Sequence, residues 1–86
     1  MRTKSGFEFE KSPEALDNWE LLEDLVDLET NSSKIVPVCR RLLGTEGANR
    51  LKEHCRDENG KVSVSAVQRE ITEIFSLLGE ENDEKN

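Results

Sequence analysis

The sequence predicts an all-α protein, a small bundle of about four short helices with an extended N-terminal arm and a disordered acidic C-terminal tail. Three observations predict it. Between residues 13 and 78 the apolar residues recur at three- and four-residue spacings, the period of helices with one buried face. Helix punctuation falls at the ends of those runs: Ser12-Pro13 at the first start, Gly44 and Gly79 at two stops. The one stretch with a two-residue period, Phe7-Glu8-Phe9-Glu10, is short and lone. With 86 residues the chain makes a single domain, expected over 1–79, and at 34% apolar and 5% aromatic its core is lean.

The arm covers 1–12. The first helix is expected over 13–29, with Ser12 as N-cap, Pro13 at the first helical position and Glu14 in the first turn. At ~100° per residue, Ala15, Trp19, Leu22 and Val26 share an arc, Leu21, Leu25 and Leu28 widen it, and Leu16 sits at its other edge. A helix packed on one neighbour needs a stripe of only ~100°, so this helix predicts a second neighbour. Phe7 and Phe9 of the arm, with Leu21, Leu25 and Leu28, are the residues expected to contact another protein chain. Asn31-Ser32-Ser33 is a loop.

A second helix is expected over 34–43, with Pro37 in its first turn and Gly44 as its stop. A third, over 45–56, has the thin apolar set Ala48, Leu51 and Cys55, and the pattern leaves open whether the two are one bent rod. Asp57 to Lys61 is a turn with Asn-Gly at its tip. The last helix is expected over 64–78, capped by Ser63 or Ser65, with Val67, Ile71, Ile74, Phe75 and Leu78 on one stripe. Residues 80–86 carry four acids and no apolar side chain, the composition of a disordered tail.

Charge is spread in blocks. Residues 1–6 carry +2, residues 7–33 carry −8, residues 34–56 carry +4 and residues 57–86 carry −5. That layout suits charge-complementary protein surfaces and is a poor footprint for nucleic acid, which wants a net basic face. Arg40, Arg41, Arg50 and Arg56 form the candidate basic patch. No apolar run approaches the ~18 residues of a membrane helix. Cys39 and Cys55 at helix-type apolar positions, without a signal peptide, read as free thiols in a reducing, cytoplasmic setting.

The chemistry-bearing motifs are incomplete. Aligning Gly60 with the glycine of a calcium loop leaves Cys55 and Ala66 at the two end positions, where acids are required. His54 and Cys55 are adjacent on a helix and point ~100° apart, so they share no ligand face, and zinc would lack its four ligands. Gly44-Thr45-Glu46-Gly47 lacks the Lys-Ser/Thr continuation of a phosphate loop. The expectation is a protein without catalytic site, metal or cofactor, working through its surface.

Three stretches in this order, SGFEFEKSPEALDNWELLEDLVDLE, then a Pro-containing helix ending RRLLG, then LKEHCRDENGKVSVSAVQREITEIFSLLGE, resemble the short tail assembly chaperones of long-tailed phages and prophages. The resemblance covers nearly the whole chain and rests on order and spacing. It implies a small, mostly helical, non-enzymatic protein of the host cytoplasm. Such proteins bind the tape-measure protein, help recruit tail-tube subunits during assembly and leave the finished tail. A homo-oligomer is also expected. The competing expectation is a small cytosolic helical regulator or nucleic-acid-associated protein, acting through the four arginines.

Overall fold

The computed structural model describes residues 1–10 and 16–83, and the fold is all-α. Helix α1 spans Trp19–Leu28, α2 spans Ile35–His54 and α3 spans Val64–Asp83, with a 3-10 turn, Ser32–Lys34, leading into α2. Three helices therefore stand where four were expected. Two isolated antiparallel bridges, Arg2 with Glu8 and Arg56 with Val62, are the only β pairing among the described residues.

The arm is folded back on itself. Met1 and Phe9 exchange both backbone hydrogen bonds, the N-terminal ammonium donating to Phe9 O at 3.0 Å and Phe9 N to Met1 O at 2.9 Å. Thr3 N donates to Phe7 O, and Gly6, with φ 96°, closes the turn by donating to Thr3 O. This tight hairpin places Phe7 and Phe9 on one side, both 4% exposed, their rings stacked 6.4 Å apart.

Helix α1 starts later than expected. Ser12 and Pro13 lie outside the described residues, and the cap is Asn18, whose side chain accepts from Glu20 N at 3.0 Å and Leu21 N at 3.2 Å. Asn31 caps the 3-10 turn in the same way, accepting from Ser33 N.

The helices expected over 34–43 and 45–56 are two arms of α2, broken at Gly44 (φ 78°, ψ 166°). That backbone region is essentially reserved for glycine, so the residue expected as a stop is a kink. Downstream, Asp57 Oδ1 accepts from Asn59 N and Lys61 N, and Arg56 donates to Gly60 O at 2.7 Å. The loop thus uses its carboxylate on its own amides. Ser63 caps α3, its hydroxyl accepting from Ala66 N at 3.3 Å.

Helix α3 does not stop at Gly79. The glycine lacks the positive φ of a helix-ending residue, and α3 runs on to Asp83. Residues 80–83, expected in a disordered tail, are helical; residues 84–86 lie outside the described residues.

One core joins the N-terminal hairpin and the three α-helices. Leu21 of α1, Val38 and Leu51 of α2 and Ile74 of α3 are its most enclosed side chains, and the two hairpin phenylalanines belong to the same cluster.

Candidate interaction surface

Which side of α1 faces inward decides the surface. At ~100° per residue, Leu21, Asp24 and Leu28 fall together, and this is the inward side. Leu21 is 2% and Asp24 8% exposed, while Leu25 and Leu28 are half-buried against the core. The opposite side carries Trp19, Leu22 and Val26, which are 72%, 52% and 63% exposed. The surplus apolar face is therefore real, but its residues differ from those expected. Leu21 is core, Leu25 and Leu28 are its shoulder, and Trp19, Leu22 and Val26 form the ridge. Phe7 and Phe9 are core as well, so the arm presents no aromatic contact surface.

A buried carboxylate holds this rotation. Asp24 Oδ2 accepts from Arg41 Nε at 2.9 Å, and its other oxygen lies 3.7 Å from Lys34 Nζ. Arg41 Nη1 also donates to Glu20 Oε1 at 2.9 Å. Its bond to Asp24, helped by the charges of Glu20 and Asp24, holds the guanidinium still more firmly protonated than usual. A carboxylate so enclosed is tolerable because it is paired and hydrogen-bonded.

That pairing, with others, dismantles the expected basic patch. Arg41 is engaged by α1. Arg50 lies 5.4 Å from the centre of the Phe7 ring and donates to Glu8 O. Arg56 is bidentate on Glu53, which holds the Glu53 carboxyl below its ordinary range. Of the four, only Arg40 has no ionic or hydrogen-bond partner among the described residues. With Lys52 it borders a groove of about 200 Å³ lined by Val36, Ala48, Leu51, Val62 and Val64.

No known protein family, curated protein or solved structure matches this chain.

A polar cluster that sequence reasoning missed closes the hairpin onto α2 and α3. Thr3 Oγ1 and Ser5 Oγ donate to the two oxygens of Glu70 at 2.7 and 2.8 Å, and Lys4 N donates to Glu73 Oε2 at 2.7 Å. His54 Nε2 stands 2.9 Å from Ser5 Oγ. Serine, histidine and carboxylate invite comparison with a nucleophilic triad, but the connectivity differs. In this arrangement Ser5 gives its single proton to Glu70, so the hydroxyl is left to accept from His54 Nε2, the reverse of the bond between a nucleophile and its base. The acid holds the serine instead of orienting the histidine. The cluster is a clasp. Its members are scattered in sequence at positions 3, 5, 54 and 70, and no local spacing signals it.

No group of three or more metal-ligating side chains occurs among the described residues. Cys39 and Cys55 are free thiols. Burial and the neighbouring Cys55 push the Cys39 thiol up to about 11, and burial raises Cys55 too. No described helix is long and apolar enough to cross a membrane.

Proposed function

We propose that this protein is a non-enzymatic tail assembly chaperone of a long-tailed phage or prophage. It binds the tape-measure protein and helps bring tail-tube subunits to it in the host cytoplasm. The resemblance across nearly the whole chain supports this reading, and the observation that carries it is the ridge of α1. Trp19, Leu22 and Val26 spread apolar surface of a few hundred Å² on a charged protein, the scale at which exposed apolar area marks a contact site. A chaperone that must let go needs such a grip to be modest, because association costs offset much of the burial.

Co-expression with the tape-measure protein of the same genome tests the reading. The wild-type chain copurifies with it. Leu22→Glu, at a position already half in water, leaves the melting temperature within about 2 °C and lowers capture at least tenfold (about 1.4 kcal/mol). Absence of capture by the wild-type chain sinks the reading.

A further inference from the structure

We propose that the α1 ridge takes an amphipathic helix with basic flanks, contributed by the partner protein. The inference rests on the reading of this face as the partner-binding surface and adds the chemistry of what it binds.

Shape favours a helix. Trp19, Leu22 and Val26 occur at i, i+3 and i+7, a row about 10 Å long at 1.5 Å rise per residue. A convex row of this kind packs into the groove between side-chain rows of another helix. An extended segment would gain nothing from α1, whose backbone donors and acceptors are spent within the helix.

Charge sets the flanks. Residues 16–33 hold six acids and no Lys or Arg. Arg41 pairs with Glu20 and Asp24, and Lys34 lies 3.7 Å from Asp24 and 4.0 Å from Asp27, so three of these acids are answered from within the chain. Glu23 is exposed along one edge of the ridge and Glu29 at its end, and neither has an ion-pair partner among the described residues. Anionic lipid and nucleic acid are repelled by such a rim, and an acidic helix is too. A helix with lysines or arginines beside its apolar stripe buries the ridge and pairs with the rim together.

The chain's single tryptophan sits on the ridge and reports occupancy. The full chain is titrated with a short Leu/Lys amphipathic helical peptide lacking aromatic residues, and separately with its Leu/Glu counterpart. The Leu/Lys peptide shifts Trp19 emission to the blue, saturably and more weakly at higher salt; the Leu/Glu peptide does not. Leu22→Glu lowers the affinity at least tenfold although it adds negative charge, which separates ridge binding from general attraction to an acidic protein. Glu23→Lys, an exposed change, weakens the Leu/Lys peptide and improves the Leu/Glu one.

Equal response to both peptides, or to neither, overturns the proposal. So does a blue shift produced by anionic phosphatidylglycerol vesicles. A shift with protein concentration alone, with doubled mass in sedimentation, makes the occupant a second copy and overturns it as well. Tape-measure capture that Leu22→Glu abolishes, with the Leu/Lys peptide silent, sinks this chemistry and leaves the proposed function standing. Peptide binding without tape-measure capture does the reverse.

Discussion

Phe7 marks how far a single side chain's role depends on what it covers. Its ring is 4% exposed, touches Phe9 and lies under Arg50 and His54. Phe7→Ala removes a buried aromatic from a lean core and is expected to cost about 3–4 kcal/mol in urea unfolding. A loss under about 1 kcal/mol would return the ring to the surface. Cys39 gives a second prediction at this scale. Its thiol keeps its proton to about pH 11 in the folded chain, against 9.0 for an ordinary one. Above pH 9 the unfolded chain therefore binds fewer protons than the folded one, and stability falls as pH rises from about 9 to 11. Cys39→Ala should flatten that part of the stability profile, measured against wild type at each pH. A parallel decline in both proteins would assign it to other groups.

Among the elements, two glycines expected to do the same job do different ones. Gly44 breaks α2 with a φ of 78° and a ψ of 166°, and a Cβ there would meet nothing within 4 Å. The cost of Gly44→Ala is then conformational, about 1–3 kcal/mol. Gly79 lies inside α3 with no positive φ and no atom within 4 Å of an added Cβ. Gly79→Ala should stabilise by about 0.5–1 kcal/mol. Thermal melts of the two variants should move in opposite directions, and a common sign would mean that the helix ends at Gly79 after all.

The whole molecule is held by a core with two polar fastenings at its edges. Asp24 ties α1 to Arg41 and Lys34, and Glu70 with Glu73 ties the hairpin turn to α3. Asp24→Ala strands Arg41 beside Glu20 alone and should cost about 1.5–3 kcal/mol, the scale of a charged hydrogen bond. Because the carboxylate is buried, the deficit in urea should persist at about 1 M salt, where exposed pairs are screened. A deficit that vanishes with salt would make the fastening a surface pair.

Much of this was legible in residues 13–78. The helical period, the polar Asp57–Lys61 turn and the Ser63 cap option are local properties, and local backbone chemistry decides them in a chain this short. The role of Phe7 and Phe9 was not legible, because alternation shows that one face is apolar without showing whose apolar surface it meets. The apolar arc of the first helix was equally silent about rotation: Leu21, Leu25 and Leu28 were as eligible for the outside as Trp19, Leu22 and Val26. The sequence by itself determined an all-α chain with more apolar surface on one acidic helix than a single neighbour covers. Only the tertiary structure decided which residues that surplus comprises. The reason is physical: the core takes Leu21, and the Asp24 carboxylate, drawn onto Arg41 and Lys34, turns the same side inward, leaving Trp19, Leu22 and Val26 to the water.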